Sequence, residues 1–179
     1  MMRLLGLIAI VCYVVHASVL VSRGQPYDLV WGCHLAVLLV AAGLLTKNAL
    51  INAIGLLWAC FGFPLWLIYA FTDTDFMPTS TLTHVGAMVI GLYGVRRLGI
   101  PRGSAWKAGI GYLALWALTR VITPESANVN LAFRAWRGWE DRFPSYPVYF
   151  SMLAMIGALT FTIAELLLRR AHVGATRSI

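Results

Sequence analysis

Charge is scarce in this sequence. Only 12% of its 179 residues are Asp, Glu, Lys or Arg, against 60% hydrophobic, and a soluble domain of that size needs far more charge to cover its surface. Acids are scarcest, at 7 against 14 Lys and Arg. The resulting net charge of +7 raises nucleic acid as a partner, but no nucleic-acid motif accompanies it. The basic residues instead gather at the ends of apolar runs, as membrane topology requires. None of the three cysteines, Cys12, Cys33 and Cys60, lies in a polar loop, which removes the basis for a disulfide framework. No internal repeat is evident, so nothing points to a transporter built of inverted halves. Almost nothing remains outside the apolar runs for a separate soluble domain; residues 1–179 read as one domain.

What the sequence has is apolar runs near 20 residues, recurring along its whole length. At about 1.5 Å per residue, each is long enough to cross a hydrocarbon core of about 30 Å. The spacing predicts an all-α, polytopic membrane protein: a bundle of six transmembrane helices over residues 3–21, 28–46, 49–71, 81–95, 104–122 and 148–168. The first run starts at Arg3 and resembles a signal peptide, but its length and the poor cleavage match at Ala17-Ser18 favour a retained helix. Pro64 falls inside the third span and predicts a kink there.

With the N-terminus inside, Arg3, Lys47, Arg96, Arg97, Arg102, Lys107, Arg169, Arg170 and Arg177 fall on the inner side. Arg23, Arg120, Arg134, Arg137 and Arg142 fall outside, so the count is nine against five, as the positive-inside rule prefers. The sequence therefore predicts a multi-pass membrane protein with both termini cytoplasmic. Six of the seven acids fall outside; Glu165 lies near the inner end of the sixth span. Gly32/Ala36, Ala87/Gly91 and Ala105/Gly109 supply small residues four apart, the spacing that lets helices approach closely.

Ionisable residues inside a membrane are expensive, and three histidines fall within spans. His34 lies six residues into the second span, His16 about five residues from the outer end of the first, and His84 three residues into the fourth. At about 1.5 Å per residue, all three sit roughly 5–9 Å below the outer interface. Cys33 shares this layer. Its neighbour His34 points about 100° away on a helix, so a base for a Cys33 thiolate must come from another span, with His84 and His16 as candidates. Cys12 and His16 form a second pair on one face of the first span.

The segment between spans five and six is long, polar and aromatic. Val129, Ala132, Phe133, Trp136 and Phe143 fall on one helical face; Asn130, Arg134, Arg137 and Asp141 fall mostly on the other. That pattern predicts a short interfacial helix or lid, with arginines near lipid phosphates and tryptophans at headgroup depth. Asn128 and Asn130 are candidates to hydrogen-bond a substrate carbonyl or oxyanion. With His16, Arg134, Trp136 and Arg137 they make the candidate substrate-binding set. Thr79, Ser80 or Thr81 is a candidate cap for the fourth span.

Four stretches carry a family resemblance: Trp31-Gly32-Cys33-His34-Leu35, Thr83-His84, Asn128-Val129-Asn130, and Phe143-Pro144-Ser145-Tyr146-Pro147. Over about residues 28 to 165, the chain resembles the YwaF-like bacterial integral membrane proteins and the related eukaryotic six-span acyltransferases that remodel phospholipids. The resemblance implies a thiol acyltransferase of the bacterial inner (plasma) membrane, with Cys33 holding the acyl group, His84 as base and His34 in support. It implies a membrane phospholipid as partner, no nucleic acid, no cofactor and no metal. In the YwaF-like pattern the cysteine follows the histidine; here Cys33 precedes His34, as in the eukaryotic members.

Beside acyl transfer or acyl-ester hydrolysis stand two other expectations. One is a metal-dependent hydrolase on His16, His34 and His84, three ligands with one open position; no carboxylate sits clearly in the layer, since Asp28, Asp73 and Asp75 lie nearer the surface. The other is a lipid- or ligand-binding protein or transporter, in which the histidines only tie helices together.

Overall fold

The structure, a computed structural model, describes residues 1–72 and 76–177. Asp73 and Asp75 lie outside the described residues. Six α-helices form the fold, and no strand occurs among the described residues: α1 (Met2–Ser22), α2 (Gly32–Thr46), α3 (Ala49–Thr72), α4 (Ser80–Leu98), α5 (Ser104–Ile122) and α6 (Tyr146–Arg177). Met2–Ser22, Ala49–Thr72 and the Tyr146–Ala171 part of α6 are long and apolar enough to cross a membrane; Gly32–Thr46 is apolar but shorter. α4 and α5 have the length, but Arg96 and Arg97, or Lys107 and Arg120, and the polar start Ser80-Thr81-Leu82-Thr83-His84 dilute their hydropathy.

α2 packs against α1, α3 and α4, while α5 and α6 pair with each other beside α3. Ala36, Val37, Val40 and Leu44 of α2 are fully buried. The outside is apolar as well: Leu4, Leu7, Val11 and Val14 of α1 and Met155, Leu159, Ile163 and Leu166 of α6 are all exposed. Water penalises such a continuous apolar surface and lipid does not, so the exterior is consistent with a membrane protein.

Two elements differ from the expectation. Helix α2 begins at Gly32 rather than at residue 28. Pro26–Val30 forms a 3-10 turn instead, and extended backbone at Trp31 (φ −57°, ψ 135°) separates it from α2. His34 therefore lies in the first turn of α2 instead of six residues in. The predicted interfacial helix is also absent. Residues 125–142 hold three short 3-10 turns, with positive φ at Asn128 (45°), Asn130 (54°), Leu131 (53°) and Gly138 (82°). A left-handed residue cannot continue a right-handed helix. α3 runs on through Pro64, whose ring cannot donate to the Cys60 carbonyl one turn back.

The α2–α3 turn is built by Lys47 in the left-handed conformation and by Asn48, whose Oδ1 accepts the N–H groups of Leu50 (3.0 Å) and Ile51 (3.1 Å). At the same end of the bundle, Glu165 of α6 caps α5 from outside its own chain segment. Its carboxylate accepts the N–H groups of Gly103 (2.9 Å) and Ala105 (2.6 Å), and Arg169 lies 3.8 Å from it. A buried carboxylate at a helix N-terminus answers both the orphan donors and the positive end of the dipole. Replacing Glu165 by alanine leaves two donors unmet and should destabilise the protein by at least about 1–3 kcal/mol. A lowered thermal midpoint in detergent, partly restored by Glu165→Gln, is the expected result.

Candidate functional site

Three helices carry the site: α1 brings His16, α2 brings Cys33 and His34, and α4 brings His84. The three histidines are buried, at 1%, 7% and 5% exposure, and they stand in a row. The ring centroids of His16 and His34 are 4.6 Å apart and those of His34 and His84 are 5.6 Å apart, each pair edge to face. Cys33 Sγ, a ring nitrogen of His34 and a ring nitrogen of His84 all lie within 4.8 Å of one another.

Hydrogen bonds fix how each imidazole is protonated. His34 Nδ1 is 2.8 Å from the Asp28 carbonyl, and His84 Nδ1 is 2.8 Å from the Ser80 carbonyl. A carbonyl only accepts, so both Nδ1 atoms carry hydrogen and both Nε2 atoms of the neutral rings carry a lone pair. His16 Nε2 is 3.2 Å from His34 Nε2. Since His34 Nε2 accepts, His16 Nε2 donates. His16 Nδ1 then accepts from the Thr79 hydroxyl at 3.0 Å. The result is one directed chain, from Thr79 O–H through His16 and His34 to the Asp28 carbonyl. His84 stands apart from it: its Nε2 has no hydrogen-bond partner among the described residues.

Neighbouring residues hold His84 in place. Trp66 of α3 stacks on its ring, at 5.0 Å between centroids and 15° between planes, and donates its indole N–H to Ser80 Oγ at 2.9 Å. Thr83 donates to the same Ser80 carbonyl that receives His84 Nδ1–H. Cys33 fits because of two glycines. A Cβ on Gly62 would stand 2.9 Å from Cys33 Cβ, and one on Gly32 would stand 2.6 Å from the Tyr112 ring. Cys33 stands in the first turn of α2, where the Gly32 N–H is bonded to Asn130 Oδ1 and the His34 N–H to the Trp31 carbonyl at 2.9 Å. Cys33 is half-buried. Tyr112 also lines an apolar cavity of ≈ 130 Å³ between α3, α5 and α6, together with Trp31, Phe61, Trp116, Leu153 and Phe161.

The loop residues are placed differently. Asn130 is buried, and its side chain is fully engaged. Oδ1 accepts the Gly32 N–H at 2.7 Å, while Nδ2 donates to the Val30 carbonyl and to Thr119 Oγ1, both at 2.9 Å. Asn128 accepts the N–H groups of Phe133 and Arg134 and donates to the Arg134 carbonyl. Asn128 folds the loop and Asn130 seals the start of α2, with both Asn130 amide hydrogens used and none left for a substrate carbonyl. Arg134 donates to the carbonyls of Ser126 and Glu125. Trp136 is half-buried beside Tyr149, and Arg137 is exposed. None of these loop side chains joins the histidine row. Cys12 lies against Gly86 of α4 and also stays outside it.

Sequence reasoning missed Trp66, Tyr112 and the carbonyls of Asp28 and Ser80. The Gly62/Trp66 spacing, four apart on the α3 face that meets Cys33, was the available signal. Asp28 is the acid near the row among the described residues. Burial pushes its carboxyl above the usual aspartate range, and the Trp31 indole N–H, donating at 3.2 Å, opposes that.

Asn130→Ala removes three hydrogen bonds and strands the buried Gly32 N–H, at about 1–3 kcal/mol for the unmet donor alone. It should lower the melting temperature and expose residues 123–145 to limited proteolysis; an unchanged digestion pattern counts against the seal. No family model, curated protein or solved structure matches the chain.

Proposed function

We propose that this chain is a six-span membrane enzyme that transfers or hydrolyses the acyl chain of a phospholipid, with Cys33 as nucleophile and His84 as base. One observation carries the reading: a thiol and two imidazoles from α2 and α4 meet within 4.8 Å in an apolar bundle, where isolated polar groups are costly. In this reading α2, α4 and α5 also cross the membrane, with α2 packed among α1, α3 and α4. The nine-to-five division of Lys and Arg supports a topology with both termini in the cytoplasm and the histidine row near the outer leaflet.

The tautomers supply the division of labour. His34 Nε2 is occupied by the His16 N–H, so His34 orients. His84 Nε2 carries an unclaimed lone pair, so His84 accepts the Cys33 proton as the sulfur attacks the ester carbonyl. Collapse of the tetrahedral intermediate breaks the bond to the lipid's alcohol oxygen, which takes the proton back from His84. An acyl thioester remains on Cys33. An acceptor hydroxyl, or water, then attacks it with His84 again as base, and the proton ends on the sulfur. The positive end of the α2 dipole favours the developing oxyanion, while the Gly32 and His34 N–H groups stay bonded to Asn130 and Trp31. The cavity beside Tyr112 is smaller than the about 300–1,000 Å³ of a drug-sized site and suits a segment of acyl chain. Arg137 and Trp136 are the loop side chains left to meet a phosphate headgroup.

Incubation with a phospholipid labelled in its acyl chain should give an adduct of one acyl group by intact mass, mapped to Cys33. Cys33→Ala should abolish adduct and turnover, and His84→Ala should slow turnover by about 10²–10⁴-fold. Full activity in Cys33→Ala would remove the nucleophile.

A further inference from the structure

We infer that Cys33, His34 and His84, completed by His16, form a binding site for a divalent cation of the zinc class. The metal site does not require that the chain be an acyltransferase.

The first support is the outer shell. Every imidazole in the row holds its Nδ1 against an oxygen: Thr79 Oγ1 at 3.0 Å for His16, the Asp28 carbonyl at 2.8 Å for His34, and the Ser80 carbonyl at 2.8 Å for His84. Histidines that ligate a metal are held this way, with the second ring nitrogen tied to an oxygen so that the first can coordinate. One such bond is ordinary; the same arrangement at all three histidines, on three helices, points the remaining nitrogens to metal ligation.

The second support is a distance. His16 Nε2 and His34 Nε2 are 3.2 Å apart. Two nitrogens bound to tetrahedral zinc at about 2.0–2.1 Å are separated by about 3.3 Å. Two bare imidazole nitrogens this close repel, so a positive centre belongs between them, either a proton or a metal ion. Thr79 permits the exchange. The carbonyls of Asp28 and Ser80 lock their histidines in one tautomer, but the Thr79 hydroxyl both donates and accepts. Without metal it donates to His16 Nδ1, and His16 Nε2–H fills the His34 lone pair. With metal, His16 carries its hydrogen on Nδ1, donates to Thr79, and turns a bare Nε2 to the ion.

The donors also select the ion. One thiolate and three imidazoles with no carboxylate among them suit zinc and not magnesium or calcium. Coordination releases the thiol proton of Cys33 to solvent, and the His16 proton only changes nitrogen. The group within 4.8 Å is wider than a coordination edge, so binding draws Cys33 and His84 inward. A metal-bound sulfur is not free to attack an ester, so zinc occupancy and acyl transfer are alternative states of Cys33.

The test uses the full chain in detergent, stripped with a chelator and titrated with Zn²⁺. One Zn²⁺ per chain is expected, together with slowed maleimide labelling of Cys33 and unchanged labelling of Cys12 and Cys60. Co²⁺ in place of zinc should give a thiolate-to-metal absorption band that Cys33→Ser lacks. Cys33→Ser and His84→Gln should each weaken Zn²⁺ binding by more than the about 10–100-fold lost with an outer-shell partner. Absence of stoichiometric Zn²⁺, or labelling of Cys33 in the unaltered chain that ignores Zn²⁺, overturns the site. The same samples separate the two readings. Acylation in stripped but not in zinc-loaded protein supports both. Zinc binding with no acylation in either state keeps the metal site and sinks the transferase. Acylation indifferent to bound zinc overturns the metal site.

Discussion

Helix α2 starts inside the protein, and most of the fold follows from having to satisfy its first turn. A helix leaves its first N–H groups without intrahelical acceptors, and within an apolar bundle no water compensates. Asn130 answers this need by accepting the Gly32 N–H while donating to Val30 and to Thr119 of α5. To reach Gly32, the loop must enter the end of the bundle, which is why Val129, Leu131 and Ala132 are buried. Arg120 is drawn to the same place, donating to the Ala132 carbonyl between the rings of Trp116 and Phe133. The loop is therefore a fixed seal, and what it seals is the turn that carries Cys33 and His34.

The placement of that turn depends on side chains that are missing. Gly62 lets α3 come against Cys33, and Gly32 lets Tyr112 lie over the start of α2. The same device works at the other end, where Gly43 and Gly94 close around the buried Asn52. Asn52 donates to the Gly91 carbonyl at 3.1 Å but leaves its Oδ1 unpartnered. Polar atoms in this bundle thus sit where glycines admit backbone or ring contact. Both ends use one asparagine to join helices, and only the Cys33 end adds groups that can gain or lose a proton within a neutral tautomer network.

The helices and the histidine row were legible in the sequence because both rest on local pattern. Apolar runs mark α1, α3 and α5 to within a residue, while α6 runs on past the expected 168 to Arg177, and counting along the spans put His16, His34 and His84 in one layer, where the structure brings them together. What failed was backbone that depends on distant partners. Asn128 and Asn130 adopt positive φ because their amides are held by the loop and by α2, and a helical wheel drawn over residues 129–143 has no means of registering that. The start of α2 was misplaced because Pro26–Val30 make a 3-10 turn whose Asp28 carbonyl serves His34, a tertiary service with no sequence signature. Thr79 and Ser80 were expected as caps, but no side chain caps α4, and each holds a histidine instead.

The chemistry of the row is set by which oxygen faces each Nδ1, more than by the histidines themselves. Two of the three face carbonyls, which cannot donate, so His34 and His84 have no choice of tautomer. His16 faces a hydroxyl, and alone can reverse. That asymmetry makes His16 the adjustable member, though it lies farthest from Cys33 in the row. Whatever positive centre occupies the gap between His16 and His34, the change is absorbed by rotating one Thr79 O–H, with no rearrangement of helices. Replacing Thr79 by valine removes the oxygen and with it the ability of His16 to serve as either donor or ligand. A carbonyl in its place would fix the ligand form and leave His34 without its donor. The hydroxyl is thus the group that lets one buried row serve either a proton or a metal ion.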